Sequence, residues 1–384
     1  MHPLRRRPAG GPGNAPGHDH KGPLLPNRRV GRRKRLAGVT GVGPVAGTPA
    51  LRVGEAEAGI RRFLTNQGLA DATLRRVQTG RNNKVWVIES SQERRVLKQY
   101  RRLSADVRDR LATEYRFLEL LNANGIERVP EPIADDRDLN LALYSFLPGT
   151  PIGEVTRDHI HQSVEFVGQV NGLRAYPSAL AIPVAAEACF SVRDHLDSVR
   201  TRVARLLTPG VATPLHEEAR ALARVRFVPA LDGIEAAVRA GFDNGDLEKP
   251  LVRDDRILSP SDFGFHNALE SEGVLQFLDF EYAGWDDPAK LVCDFVCQPD
   301  HPLDLELAKL FVKMICTALD STGIAERVEL LLPLHRLKWC CIIMNEFRGM
   351  EWSQPSSTEA VEVDVMRSQL LKASAYFDEH LAQT

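Results

Sequence analysis

The chain has 384 residues, 43% hydrophobic and 26% charged, which is the composition of a globular protein with one large core or two. Its net charge of −2 is unevenly placed, because ten Lys or Arg and one acid in residues 1–50 give a local +9, which leaves −11 for the rest. An acidic body argues against nucleic acid as a substrate, and no run approaches 18 apolar residues, which excludes a membrane-spanning helix.

The first fifty residues predict a disordered basic extension. Residues 1–50 contain ten Gly and eight Pro, three arginine clusters and no periodic apolar pattern. Such a segment buries too little apolar surface to offset the entropy that ordering would cost. Its paired arginines resemble those of export or transit signals, but no continuous apolar region follows them. A basic cluster could also contact anionic lipid or nucleic acid, and we favour an extension without a site.

A helix and three short strands are predicted next. A helical apolar pattern begins at Glu55 and ends at Gly68. Three β-rich runs follow within residues 74–88 and 94–100, separated by polar turns. Short consecutive strands joined by tight turns predict an antiparallel meander.

A lysine and a glutamate are predicted to face each other in this region. Alternation places Lys98 on the same strand face as Val96 and Tyr100, where a charged side chain requires a partner or an anion. The following helix, residues 104–122, has one apolar stripe in which Glu114 occupies the missing position. We therefore predict a contact between Lys98 and Glu114. The alternatives are a lysine whose ammonium reaches water and a glutamate at the helix boundary.

Strand patterns continue to about residue 147, and helical patterns dominate after it. The run 140–149 predicts a strand that breaks at Pro148-Gly149. Helices are then predicted at residues 160–173, 192–207, 216–240, 305–319, 327–344 and 358–381.

Neither the histidines nor the cysteines predict a metal site or a disulfide. Four histidines lie in predicted helices, in half-exposed settings and without a second ligand four residues on: His161, His195, His216 and His335. Six cysteines lie mostly in apolar runs without paired C-x-x-C spacing: Cys189, Cys293, Cys297, Cys316, Cys340 and Cys341. We predict structural histidines and core cysteines, in a reducing and therefore cytoplasmic compartment.

The segment 258–279 predicts a site. Asp262 and Asn267 lie five residues apart in a glycine-containing loop, and a short hairpin then ends at Asp279. Because hairpin pairing brings its two ends together, these three side chains are predicted to share one small volume. Mg²⁺ prefers such oxygen ligands, and Asn267 and Asp279 could supply them while Asp262 accepts a proton. In the alternative interpretation, the same acids belong to an ordinary turn and a strand end.

The pattern D-x-x-x-x-N, a hairpin, then D-F-E resembles that of protein-kinase-like phosphotransferases, and most closely the aminoglycoside phosphotransferase family. The order and spacing of motifs carry this resemblance over residues 55–300. It implies an α+β, two-lobed protein-kinase-like fold. The N-lobe would comprise residues 51–147, with a small antiparallel sheet, and the mostly helical C-lobe would comprise residues 148–384.

The resemblance also implies a role for each candidate residue in a kinase that uses ATP and Mg²⁺. Asp262 would be the catalytic base, and Asn267 and Asp279 would bind Mg²⁺. The implied nucleotide contacts are Gly80 and Asn83 in a loop over the phosphates, Lys98 held by Glu114 on the α- and β-phosphates, and the backbone of Ser145 and Leu147 at the adenine. The acceptor would be a hydroxyl of a small molecule, with sugars, aminoglycosides, choline-like alcohols, homoserine-like amino acids and glycan precursors all open.

Departures from the family pattern leave alternatives open. Pro260 stands where the family has a loop-fixing His, and Asp294 is displaced by three residues from its usual place. A kinase-like scaffold that binds nucleotide weakly or not at all is therefore one alternative. A protein kinase is another, which the missing His-Arg before Asp262 and the missing activation segment disfavour. A third is nucleic-acid binding through residues 1–50, although no nucleic-acid or membrane partner is expected.

Overall fold

The computed structural model describes most of the chain after residue 50. The described segments are residues 51–52, 58–77, 83–101, 108–208, 213–241, 245–319, 323–347 and 359–382. The predicted extension at residues 1–50 lies outside these segments. Among the described helices, none has both the length and the apolar character needed to cross a bilayer.

An antiparallel sheet, six-stranded within the described segments, forms the N-terminal lobe. Its strands are β1 (Leu51–Arg52), β2 (Thr73–Val77), β3 (Asn83–Glu89), β4 (Arg94–Tyr100), β5 (Pro132–Asp136) and β6 (Leu141–Ser145). The order across the sheet is β1-β2-β3-β4-β6-β5. Helix α1 (Ala58–Asn66) precedes β2. The predicted helix and meander are confirmed, since β2, β3 and β4 pair with their sequence neighbours.

Alternation along the strands builds a different hydrophobic layer on each face of the sheet. In β6, Leu141 packs with α1, whereas Ala142 lies in the main core. In β4, Leu97 packs on the α1 side and Tyr100 in the main core. Lys98 is two residues from Tyr100 and therefore shares its face, as predicted.

Helix α2 (Arg110–Ala123) packs against β5 and β6. It begins after Asp109, whose carboxylate accepts a hydrogen bond from the Ala112 N–H at 2.8 Å. Leu111, Glu114, Leu118 and Leu121 are all buried, on a helix that also buries Arg110, Ala112, Phe117 and Leu120. Glu114 thus occupies the predicted stripe, but the predicted helix start at residue 104 is wrong, because Asp109 caps a helix that begins at Arg110.

Helices dominate the C-terminal lobe, as predicted. They are α3 (Arg157–Gly172), α4 (Pro177–Leu180), α5 (Val192–Leu207), α6 (Pro214–Leu222), α7 (Val228–Ala240), α8 (Pro288–Val296), α9 (Leu305–Ala318), α10 (Ile324–Ile343) and α11 (Glu359–His380). Capping boxes at Thr156 and Ser191 start α3 and α5 by satisfying their first N–H groups. A π-helical segment, Ala223–Phe227, joins α6 to α7, so the helix predicted at 216–240 is one helical run with a widened turn.

Short strands between these helices position the loops of the site. They are β7 (Thr150–Pro151), β8 (Ile257–Ser259), β9 (Ala268–Ser271), β10 (Val274–Phe277) and β11 (Gly284–Asp286). β9 and β10 form the predicted hairpin, β7 lies beside β9, and β8 pairs with β11. Because Ser259 lies opposite Gly284 and Ala268 opposite Phe277, the loops 260–267 and 278–283 begin and end side by side.

Candidate active site

The two adjacent loops hold Asp262, Asn267 and Asp279. The Asn267 amide donates to the main-chain carbonyl of Asp262 at 2.9 Å and lies 3.4 Å from its carboxylate Oδ2. The Leu278 N–H donates to the Asn267 carbonyl at 2.9 Å, which fixes the residue before Asp279 against the first loop. The loops therefore converge as hairpin pairing predicts.

Both loops contain a non-glycine residue in the left-handed backbone region. Ser261, which precedes Asp262, has φ 69°, and Asp279 has φ 65°. Such a conformation costs about 1–3 kcal/mol and persists only where the surrounding structure fixes it. Its presence just before Asp262 and at Asp279 itself favours a functional site over two ordinary turns.

Lys98 links the N-terminal sheet to the Asp279 loop. It is only 7% exposed, and its Nζ donates to Glu114 Oε2 at 2.6 Å and to Asp279 Oδ1 at 2.5 Å. Burial alone would lower the pKa of Lys98, yet Asp279 and Glu114 raise it well above its usual value. Lys98 is therefore a permanent cation between the two lobes, and its predicted contact with Glu114 is present.

Glu114 is the centre of a buried hydrogen-bond network. Its Oε2 also accepts from the Tyr100 hydroxyl at 2.7 Å, and its Oε1 accepts from the Phe280 N–H at 3.3 Å. The Tyr100 and Tyr144 hydroxyls lie 2.7 Å apart, which extends the network into β6. Burial raises the pKa of Glu114, and the Lys98 ammonium opposes that rise. Because its donors come from both lobes, Glu114 fixes Lys98 relative to the Asp279 loop.

Glu281 is a buried carboxylate to which the sequence analysis assigns no role. It is 2% exposed, accepts from Asn83 Nδ2 at 2.5 Å, and lies 3.3 Å from Arg110 Nη1. Within the described segments, Glu281, Glu114 and Asp279 form the group of acids whose oxygens lie within 4.8 Å of one another. Such a group suits a cation, and the Lys98 ammonium contacts two of its three members, Glu114 and Asp279. Its place in Asp-Phe-Glu is the sequence signal that could have found Glu281, although its burial has no local signal.

His266 contacts Asp262 within the loop 260–267, in an arrangement that the sequence analysis does not predict. Its Nε2 lies 3.2 Å from Asp262 Oδ1. Burial alone would lower the pKa of His266, yet the hydrogen bond to Asp262 and the charge of that carboxylate raise it. The available sequence signal is a histidine four residues after Asp262 in the same loop.

The other predicted nucleotide contacts differ in how the structure places them. Gly80 lies outside the described segments, and Asn83 opens β3 with its amide bound to Glu281. The Ser145 N–H donates to the Glu131 carbonyl at 2.9 Å and is therefore already paired. Of the backbone groups of Ser145, the carbonyl is the one that would contact an adenine. Leu147 follows β6 at a half-buried position.

The prediction of half-exposed settings is wrong for His195 and His335, each of which is 1% exposed. Nδ1 of His195 lies 3.0 Å from Nε2 of His335. The other ring nitrogens lie 3.0 Å from Asp287 and 2.9 Å from Asp294, respectively. Helix α10 packs against both α5 and α8, which buries these faces and supplies partners that helical periodicity does not reveal. The two histidines are part of the packing of the lobe, and Asp294 is held there with them.

The burial of His216, His161 and the cysteines agrees only in part with the sequence predictions. His216 is also buried, contrary to prediction, and its ring packs edge-on against Phe347, whereas His161 is exposed. All six cysteines carry free thiols, and all except Cys316 are buried, which agrees with their predicted core role.

The chain is similar to known proteins in sequence and in fold. The family described as "phosphotransferase enzyme family" matches residues 73–319. None of the curated protein sequences compared with the chain matches it. Similar solved structures include a spectinomycin phosphotransferase in complex with ADP and spectinomycin, at 13% identity over 79% of this chain and 93% of that chain, with a TM-score of 0.51.

Two further similar structures are kinases of small alcohols. A choline kinase from Streptococcus pneumoniae is 12% identical over 83% of this chain and 100% of that chain, with a TM-score of 0.51. A Plasmodium vivax ethanolamine kinase is 10% identical over 82% of this chain and 83% of that chain, also with a TM-score of 0.51. At these identities the likeness shows the fold, and it confirms the predicted kinase-like two-lobed architecture. With more than half of its length matched, the chain belongs to the phosphotransferase enzyme family.

Proposed function

We propose that this chain transfers the γ-phosphoryl group of ATP to a hydroxyl of a small molecule. The observation that carries the proposal is Lys98, which reaches from the N-terminal sheet to both Glu114 and Asp279. Phosphoryl transfer depends mainly on positioning and on neutralising oxygen charge, so a few fixed groups of this kind suffice. Membership of the phosphotransferase enzyme family supports the same class of reaction.

We assign nucleotide binding to the N-terminal lobe, residues 51–147. Lys98 would contact the α- and β-phosphates, with Glu114 holding its ammonium in place. The ADP in the similar spectinomycin phosphotransferase supports a nucleotide in this fold. The other contacts that we propose are Gly80 and Asn83 over the phosphates, and the Ser145 carbonyl and Leu147 backbone at the adenine.

Asn267 and Asp279 would hold Mg²⁺ at the edge of the C-terminal lobe, residues 148–384. The Asn267 amide nitrogen faces Asp262, which leaves its carbonyl oxygen for a cation. Glu281 offers a further oxygen, since its carboxylate lies within 4.8 Å of that of Asp279. A donor set made only of oxygens fits Mg²⁺. When bound, Mg²⁺ would neutralise charge on the phosphate oxygens.

Asp262 is the proposed catalytic base. Its side chain is 41% exposed, so an acceptor hydroxyl can reach it. His266 faces one carboxylate oxygen and the Asn267 amide faces the other. The carboxylate would take the hydroxyl proton as the acceptor oxygen bonds to the γ-phosphorus, and the bond from that phosphorus to the bridging oxygen of ADP breaks.

The proposed acceptor is a small polar molecule with a free hydroxyl. The similar structures with the same fold are named for spectinomycin, choline and ethanolamine. All three are small polar compounds that carry hydroxyl groups. We infer an acceptor of that class for this chain.

The test is ADP release by the full chain with MgATP and a panel of small alcohols that includes choline, ethanolamine and spectinomycin. Asp262→Asn should lower kcat about 10²- to 10⁴-fold, because general base catalysis is lost. Its melting temperature and the stabilisation by MgATP should stay at the wild-type values. Asp254→Asn, at an exposed acid before β8, is the matched control and should retain full turnover.

Two outcomes would contradict the proposal. Stabilisation of the wild-type chain by MgATP without ADP release for any acceptor would indicate a nucleotide-binding scaffold. Equal ADP release by wild type and Asp262→Asn would remove Asp262 from the role of base.

A further inference from the structure

The loop between β8 and β9 contains an imidazole that points at the acid proposed as catalytic base. His266 Nε2 lies 3.2 Å from Asp262 Oδ1, while the Asn267 amide lies 3.4 Å from Oδ2. An ionised carboxylate only accepts hydrogen bonds, so the contact requires the proton on Nε2 of His266. The imidazole is therefore a donor to one oxygen of Asp262, whose side chain as a whole is 41% exposed.

The ring of His266 is held by a close fit against its own loop. A Cβ placed on Gly264 would lie 2.9 Å from His266 Nδ1 and 3.0 Å from the amide carbon of Gln298. Glycine at this position therefore lets both side chains approach the loop. Nδ1 of His266 and Nε2 of Gln298 are buried and have no hydrogen-bond partner among the described residues. In the neutral ring with the proton on Nε2, Nδ1 is an acceptor and the Gln298 amide nitrogen is a donor, so the two groups are chemically complementary.

The loop has a proline at the position where the resembled family has a loop-fixing His. Pro260, two residues before Asp262, has no side-chain hydrogen-bonding group. Among the described residues, His266 and Asn267 donate from their side chains to the Asp262 carboxylate. If Asn267 also binds a cation, then His266 is the donor whose side chain contacts Asp262 and has no second role in the site.

We propose that His266 is a positioning residue for the transfer reaction, an inference that rests on the function proposed above. It donates from Nε2 to Asp262 Oδ1 and thereby presents Oδ2 to the acceptor hydroxyl. His266 keeps its own proton throughout, while Asp262 receives the proton of the acceptor. A misplacement of the base by about 1 Å is expected to lower the rate about 10²-fold, so this contact controls turnover more than substrate binding.

The experiment compares His266→Leu with His266→Gln in the full chain, by ADP release with MgATP and the acceptor that wild type phosphorylates. Leucine fills the space without a donor, whereas the glutamine amide can reach the position of Nε2. We expect His266→Leu to lower kcat about 10- to 100-fold and His266→Gln to stay within about 5-fold of wild type. KM for ATP should change less than about 2-fold in both, with equal melting temperatures.

Gly264→Ala keeps the proposal open to contradiction if His266→Leu fails to fold, and a double variant sharpens the test if His266→Leu folds. Gly264→Ala keeps the imidazole but places a methyl group 2.9 Å from Nδ1, and it should lower kcat by displacing the ring. In an Asp262→Asn background, His266→Leu should have no further effect, because the group that it positions is already gone.

The outcomes separate this inference from the proposed function. Wild-type kcat in both His266→Leu and Gly264→Ala, or equal losses in His266→Leu and His266→Gln, would overturn the positioning role while leaving the kinase reaction intact. A wild-type chain that releases no ADP would overturn the proposed function itself, and this inference with it.

Discussion

Two clusters of charged side chains in the described segments differ in how their charges are matched. One lies in the cleft, by which we mean the candidate active site around Lys98, and the other lies inside the C-terminal lobe. In the cleft, Lys98 is shared by Glu114 and Asp279, so that one ammonium serves two carboxylates. The side chains of Asp262 and Asp279 are also 41% and 40% exposed. This cluster therefore retains carboxylate oxygens that a cation or a substrate can reach.

The second cluster, the helix-core network, joins α5, α8 and α10. Its members are His195, Asp287, Asp294, Arg327, His335 and Lys338. Each carboxylate has a cation of its own, with Asp287 2.6 Å from Arg327 and Asp294 2.7 Å from Lys338. Buried charge that is fully matched holds a fold together, whereas accessible charge that is only partly matched is available for chemistry.

The sharpest way to test this comparison is to break the helix-core network at Asp294. Asp294→Leu leaves Lys338 and His335 buried without their carboxylate, so the free energy of unfolding should fall by about 3–5 kcal/mol. Urea unfolding measures this loss, and kcat of the folded fraction should not change. Glu248→Gln, which breaks an exposed pair with Arg193, is the control and should leave the unfolding midpoint unchanged. A lower kcat without lost stability would place the network in the reaction.

The sequence is sufficient to place those residues of the cleft that are close together along the chain. Asp262, Asn267 and Asp279 are joined by a single hairpin, and hairpin pairing brings its ends together whatever the rest of the fold. Lys98 and Glu114 are only 16 residues apart, and strand alternation and helix periodicity direct them into the same layer. These positions were predictable because local geometry determines them.

The contacts that the sequence did not reveal join distant segments. Asn83 and Glu281 are 198 residues apart, and His195 and His335 are 140 residues apart. Which helix face meets which depends on the packing of whole elements, and no local period encodes it. His266 escaped prediction for another reason, since it lies in an irregular loop where side-chain direction follows no period.

A smaller effect is expected on the pH dependence of stability. The two histidines of the helix-core network have pKa values that are shifted in opposite directions. Burial would lower the pKa of His195, but the Cys189 thiol and the Asp287 carboxylate raise it to about 9. Burial lowers the pKa of His335 to about 4, against the opposing charge of Asp294. Both have a pKa of about 6.5 when unfolded.

These shifts make stability depend on pH. Between about pH 6.5 and 9 the folded chain binds more protons at His195, so stability falls as pH rises. Between about pH 4 and 6.5 the unfolded chain binds more protons at His335, so stability falls as pH falls.

Urea unfolding at pH 5, 6.5 and 8.5 checks this prediction. The free energy of unfolding should be largest near pH 6.5 and lower by about 1–3 kcal/mol on either side. His195→Gln should remove the alkaline loss and His335→Gln the acid loss, each with lower stability at pH 6.5. His161→Gln, at an exposed histidine, should reproduce the wild-type curve. A steady rise or fall across the whole range in wild type would count against the opposing shifts.

Tyr100→Phe should have the smallest effect on stability. It tests whether a hydrogen bond at the candidate active site also affects nucleotide binding. It removes the hydroxyl that donates to Glu114 at 2.7 Å and deprives the Tyr144 hydroxyl of its neighbour. We expect the free energy of unfolding to fall by about 1–2 kcal/mol. KM for ATP should rise about 3- to 10-fold, because Glu114 would then hold Lys98 less rigidly against the phosphates.

Tyr376→Phe is the matched control for that change. Its hydroxyl is also buried, and it donates to the Cys297 carbonyl at 2.9 Å inside the C-terminal lobe. It should lower the free energy of unfolding by a similar amount and leave KM for ATP unchanged. Equal KM values for ATP in the two variants would contradict this prediction. The Lys98 ammonium and the Phe280 N–H would then be sufficient to fix Glu114, and the Tyr100 hydroxyl would contribute only to stability. A rise in KM confined to Tyr100→Phe would instead show that a lost hydrogen bond affects nucleotide binding only where the carboxylate that it supports positions a cation in the cleft.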